Sequence, residues 1–178
     1  LVSSILKGEK TALRETERRK LTIFFSDIRG FTETTDSMEA EELTALLNEY
    51  LEEMTVIAHR WGGTVDKFVG DAIMVFFGAP ESLGDRENAL RCVRMAMEMQ
   101  ARMKELQEAW FKRGIEYPLT IRIGVNTGMA AVGNFGAAER ISYTAIGGQV
   151  NLASRLEGLC EPGGILISHP TWALVNEK

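Results

Sequence analysis

Two apolar runs, "TVDKFV" (64–69) and "AIMVFFG" (72–78), are separated only by Gly70 and Asp71. So short a connection, with a glycine in it, makes the two runs a hairpin and therefore antiparallel neighbours in one sheet. The other elements arrange themselves around it. "LTIFFS" (21–26) reads as a buried strand. A helix follows from Met38, with Glu39, Glu41 and Glu42 at its positive end and Leu43, Leu46, Leu47, Tyr50, Met54, Ile57 and Trp61 on one face. Gly62 and Gly63 stop it. A second helix spans about 85–111, with Ala89, Val93, Ala96, Met103, Leu106 and Trp110 as its inner face. Met95, Met97 and Met99 do not all fit that face, and some are assigned to a contact surface. "LTIRIGVNTG" (119–128) alternates as a strand, "MAAVGNFG" and "RISYTAIGG" read as further strand and turn, and "QVNLASRLEGL" (149–159) is helical. "GGILIS" (163–168) is a last short strand before "PTWALV". The order predicts an α+β fold: a βαββαβ core with additional strands and helices, the helices covering one face of a mainly antiparallel sheet.

The 178 residues suit one domain, and a hydrophobic content of 45% is ordinary for a globular chain. Residues 6–20 carry six basic and three acidic side chains, so 1–20 reads as a charged linker or coupling segment, with the domain proper at 21–178. The chain starts at Leu1, which suggests a piece of a longer protein with an upstream sensor or regulatory domain. A net charge of −5 argues against a nucleic-acid partner. Cys92 and Cys160 form no CxxC pair and read as reduced thiols, and His59 and His169 are too few and too separate for a zinc site. No run approaches the roughly 18 apolar residues of a membrane span. The expected location is cytoplasmic, compatible with a tether elsewhere in a longer protein.

The first strand ends in Asp27, an expensive place for a carboxylate unless something compensates its charge. Asp71 occupies the hairpin turn. If strand 21–27 lies beside the hairpin, as sequential packing favours, the two carboxylates converge at one edge of the sheet. Such a pair repels unless protons or cations intervene, and paired oxygen ligands suit Mg²⁺ or Mn²⁺. The competing reading gives each aspartate an ordinary turn-capping job. The glycine of the "IRGFT" loop lets backbone amides turn toward an anion.

"FFSDIRGF", "DKFVGDAIM", "IRIGVNTG" and "YTAIGGQVNLASRLEGL" together resemble the catalytic domain of class III nucleotidyl cyclases, in the family's order, over roughly residues 20–170. The resemblance implies a ferredoxin-like core working as a homodimer, with active sites in the cleft between chains. It implies an adenylyl cyclase, converting ATP to 3′,5′-cyclic AMP and pyrophosphate with two Mg²⁺ or Mn²⁺ per active site. Asp27, Asp71 and the Ile28 carbonyl would hold the metals, and the amides of Ile28, Arg29, Gly30, Phe31 and Thr32 would cradle the triphosphate. Lys67 and Thr144 would read the base, where the family pairs lysine with adenine and glutamate with guanine. Asn151 and Arg155, contributed by the partner chain, would orient the ribose and stabilise the transition state, and Arg122 would grip phosphate.

Each assignment has a plainer counterpart. Asn151 and Arg155 are spaced i, i+4 and share one helix face, where an exposed arginine and a turn asparagine are commonplace. Lys67 adjoins Asp66, an ordinary surface ion pair. Arg122 alternates with Ile121 and Ile123 and so faces either solvent or the cleft. The family continues past Lys178 with further strands, one bearing a phosphate-gripping lysine. The alternatives are a guanylyl cyclase, which Lys67 and Thr144 oppose; a non-catalytic nucleotide-binding or dimerisation module, which would be expected to have lost one of Asp27, Asp71, Asn151 or Arg155; and a diguanylate cyclase, which would want a GG(D/E)EF-like turn where this chain has "VGDAIM".

Overall fold

The computed structural model describes residues 16–116, 119–137 and 139–177. The first strand, β1, runs Thr16–Arg29, starting five residues before the apolar run that announces it. Its charged opening, Thr16–Lys20, pairs with Gly133–Met129 of a long partner strand, so backbone pairing extends the strand where side-chain pattern gives no hint. The rest of the expected linker, residues 1–15, lies outside the described residues.

After β1 come a single helical turn, α1 (Phe31–Thr35), and the helix α2 (Ala40–Arg60). The hairpin β2 (Thr64–Val69) and β3 (Ala72–Phe77) follows, joined by Gly70 in the left-handed region at φ 60°, which a glycine adopts without strain. Next are α3 (Asp85–Lys112), β4 (Thr120–Ala137), β5 (Arg140–Ile146), α4 (Gly148–Leu159), β6 (Ile165–Ile167) and α5 (His169–Val175). The sheet order is β2-β3-β1-β4-β5, antiparallel throughout, with β6 added parallel to β4. The four strands β2-β3-β1-β4 with α2 and α3 are the βαββαβ core.

Side-chain alternation divides β1 between two cores. Phe24 and Ile28 join Ile121, Ile123 and Val125 of β4 under Tyr50, Met54 and Ile57 of α2 and Cys92, Met95, Ala96, Met99 and Met103 of α3. Of the three methionines that strain the helical pattern, Met95 and Met99 are fully buried and only Met97 is exposed. Val93, expected inside, is only partly buried. Leu21 and Ile23 face the other way, into a smaller core with Met74, Phe76, Val132, Ala145, Val150 and Ala153. The two long helices thus cover one face as expected, and the shorter α4 lies against the opposite one.

Gly124 makes that second packing possible. A Cβ there would sit 2.2 Å from the Glu157 nitrogen and 2.6 Å from the Ala153 carbonyl oxygen, both backbone atoms of α4. Asn126, wholly buried beside it, donates from Nδ2 to the Gln149 carbonyl and side-chain oxygens, each at 2.9 Å, and pins the helix start. Gly124→Ala must push α4 off the sheet. The expected cost is about 1–3 kcal/mol, read as a fall in Tm of roughly 2–4 °C per kcal/mol. An unchanged Tm would mean that α4 is not seated on this glycine.

Candidate active site

The antiparallel pairing of β1 with β3 runs from Thr22↔Phe77 to Ser26↔Ile73, which carries the hairpin turn to the end of β1. There Asp71 Oδ2 accepts a hydrogen bond from the Ile28 amide at 2.7 Å, the peptide group next to Asp27. The two aspartates therefore meet at one edge of the sheet. Burial raises the Asp71 carboxyl above its usual range; the Ile28 amide pulls it back and the Asp27 charge pushes it up again. Because the Ile28 amide is spent on Asp71, it is not among those left for a phosphate.

Asp27 has its own compensation. Arg122 lies opposite it on β4 and grips it with both prongs, Nε to Oδ1 at 3.1 Å and Nη2 to Oδ2 at 2.9 Å. The Arg122 side chain is only 17% exposed, so of its two sequence-level orientations the structure takes the one toward the carboxylates. Nη1 adds a bond to the Gly158 carbonyl of α4 at 3.2 Å.

A third carboxyl, absent from the sequence reading, completes this group. Glu157 of α4 is buried, with Oε1 3.3 Å from Arg122 Nε but outside hydrogen-bond geometry, since that N–H is committed to Asp27. Burial, then a hydrogen bond to Asp27 and its charge, push the Glu157 carboxyl up to about 8. The signal for it lay in Gly124, since a glycine in an alternating strand marks a close backbone approach and a helix residue that must point inward.

This raised value has a consequence for stability. The unfolded chain releases the Glu157 proton near 4.5 and the folded chain near 8. Stability present below the lower value is lost as pH climbs through the window, at most roughly 1.4 kcal/mol per pH unit. Glu157→Gln removes the titration while keeping an amide donor for Asp27. Without divalent cations, the variant is expected to gain Tm over wild type progressively from pH 5 to pH 8, by about 2–4 °C per kcal/mol. Parallel Tm curves for the two proteins would remove Glu157 from the linkage.

Among the described residues no three His, Cys, Asp or Glu side chains form a metal cage by themselves. A pair of carboxylates is nonetheless what Mg²⁺ takes from a protein when water and polyphosphate complete its shell, so Asp27 and Asp71 fit the group.

The remaining candidates sit apart from this pair. Thr144 on β5 donates from Oγ1 to Asp66 Oδ2 at 2.5 Å, and Lys67 Nζ lies 3.7 Å from Asp66 Oδ1. Lys67 and Thr144 are thus gathered within one chain through a residue between them. Asn151 and Arg155 are exposed on α4, and among the described residues neither bonds to Asp27 or Asp71. Arg29 and Thr32 are exposed beside the acidic edge, with Gly30 and Phe31 half-buried between them.

Fold and site together define a ferredoxin-like α+β domain with an acidic centre at the end of its middle strand. The family model described as "Adenylate and Guanylate cyclase catalytic domain" matches residues 13–178, and the chain belongs to this class III cyclase family. It is 36% identical over 142 residues to adenylate cyclase 1 of Rhizobium meliloti, covering 80% of this chain. The match spans 21% of that protein's length. The crystal structure of the adenylyl cyclase CyaB from P. aeruginosa superposes with a TM-score of 0.89 at 57% identity, over 90% of this chain and 82% of that one. The guanylyl cyclase Cya2 follows at a TM-score of 0.86 and 40% identity, over 90% and 80% of the two chains. No helix among the described residues is long and apolar enough to cross a membrane.

Proposed function

We propose that this domain is an adenylyl cyclase converting ATP to 3′,5′-cyclic AMP and pyrophosphate, with each active site shared between two copies of the chain. The observation that carries the reading is the meeting of Asp27 and Asp71 through the Ile28 amide. Divalent cations bound there, two in the proposed arrangement, would lower the pKa of the ribose 3′-hydroxyl and neutralise the triphosphate. The ribose oxygen gives its proton to water and bonds to the α-phosphorus, and the bond from that phosphorus to the bridging oxygen of the leaving pyrophosphate breaks.

Arg122 keeps Asp27 charge-compensated until substrate arrives, and its fork then suits a phosphate as well as it suits a carboxylate. Arg155 meets the charge that develops on the α-phosphoryl group, and Asn151 on the same helix face orients the ribose. Lys67 and Thr144 read the base.

The shared site follows from what the single chain leaves exposed. Phe68 and Val69 beside Lys67, Ile146 near Thr144 and Leu152 beside Asn151 are all exposed apolar side chains. Apolar side chains exposed beside each polar candidate suit a self-complementary interface with a second copy. Substrate choice rests on Lys67 and Thr144 and on the 57% identity to an adenylyl cyclase. The deciding experiment measures cyclic nucleotide formed from ATP and from GTP, each with Mg²⁺ and with Mn²⁺. Cyclic GMP as the main product would replace this reading with its guanylyl alternative, and no product from either would favour a binding module.

A further inference from the structure

The Asp66 carboxylate is deeply buried, its side chain only 2% exposed, and the reaction proposed above makes no use of it. Its position comes from a break in the hairpin register: Val65 pairs with Val75 and Lys67 with Met74, so Asp66 has no partner on β3. An unpaired residue of this sort bends a strand and re-aims its side chains. Here it brings Asp66 to the Lys67 ammonium, although neighbours on a regular strand point to opposite faces. Asp66 Oδ2 reaches β5, where it accepts from Thr144 Oγ1 at 2.5 Å and from the Ala145 amide at 3.3 Å.

The chemistry of that contact is directional. A hydroxyl has one proton, and a carboxylate only accepts. With its proton given to Asp66, Thr144 can offer a base nothing but a lone pair. Adenine presents a donor at that edge, its 6-amino group, whereas guanine presents the 6-oxo acceptor. The Lys67 ammonium has three donors and no acceptor, so it matches the unprotonated N1 of adenine and not the N1–H of guanine.

We propose that Asp66 is a positioning residue for substrate choice: it fixes the hydrogen-bond polarity of Thr144, and so makes the site prefer a 6-amino over a 6-oxo purine. The inference rests on the reading of Lys67 and Thr144 as base contacts. Asp66 touches no substrate, and it acts by holding the two residues that do.

The test compares kcat/KM for ATP and GTP in wild type, Asp66→Ala and Asp66→Asn, alongside equilibrium binding of the non-reacting 3′-deoxy-ATP and 3′-deoxy-GTP. Asp66→Ala frees the Thr144 proton, and the ATP:GTP ratio is expected to narrow at least about 10-fold, mainly through KM, because base contacts are alike in ground and transition states. The 3′-deoxy pair should narrow in affinity to match. Asp66→Asn keeps a carbonyl oxygen for Thr144 and Ala145, and is expected to hold the ratio within about 3-fold of wild type, since one good acceptor suffices. Should Asp66→Ala not fold, Asp66→Val, which suits a strand, takes its place with the same expected narrowing. In wild type, inosine triphosphate, which has the 6-oxo group but no 2-amino group, should be rejected as strongly as GTP.

Equal losses for both nucleotides in Asp66→Ala, with an unchanged ratio, would overturn the assignment, as would inosine triphosphate accepted like ATP. An Asp66→Asn ratio narrowed as far as that of Asp66→Ala would overturn the polarity argument too. A wild type that prefers GTP would sink the adenylyl reading and this role with it; one that prefers ATP, with Asp66→Ala unaltered in ratio, would sink only the role of Asp66.

Discussion

Asp27→Asn is expected to lose cyclase activity by at least about 10²–10³ at every Mg²⁺ or Mn²⁺ concentration, because an amide is a poor ligand for a hard cation. The fold should survive. Arg122, released from Asp27, already has Glu157 at 3.3 Å, and Glu157 is freed of the charge that helps hold it protonated. One ion pair replaces another on the same three residues, so Tm should shift by only a few degrees, about 1 kcal/mol or less. Two measurements check this: turnover across a metal titration, and thermal unfolding without metal. Wild-type activity at the wild type's own metal concentrations, or a Tm collapse, would show that Asp27 serves the fold and not cation binding.

Arg155→Ala should lower turnover by about 10²–10³ with little effect on nucleotide affinity, the expected cost of removing one preorganised donor from a developing charge. Its exposure on α4 gives it no role in the fold of the single chain, and an unchanged dimer by size-exclusion chromatography would leave the reaction as the source of the loss. Its separation from Asp27 supplies a stronger test. An Asp27→Asn chain retains its own Arg155, and an Arg155→Ala chain retains its own Asp27. Mixed in equal amounts, two nearly inactive proteins should recover about a quarter of wild-type activity, since half of the dimers are mixed and each has one intact site. Mixtures no more active than their components would confine the reaction to single chains.

The architecture was legible wherever a pattern was strong. The two-residue hairpin and the alternation of "LTIRIGVNTG" predict β2, β3 and β4, and both long helices stand within a few residues of the spans their apolar faces announce. The carboxylate pair was legible too, because Asp27 and Asp71 each end an apolar run and those runs pack side by side. What stayed hidden depends on backbone partners. The charged residues Thr16–Lys20 form a strand only because β4 is long enough to pair with them. Met95 and Met99 are flexible enough to enter a core that their spacing alone does not assign to them. Glu157 needed the absent side chain of Gly124, and Asp66 needed a register slip, neither of which periodicity reveals.

That slip also matters for how the molecule keeps to itself. β2 and β5 are the first and last strands of the path β2-β3-β1-β4-β5, where unpaired backbone would ordinarily invite stacking by an unrelated chain. One aspartate ties them together, taking up the Ala145 amide along with the Thr144 hydroxyl. The sheet is partly laced shut on itself, and its rims offer less purchase for runaway aggregation.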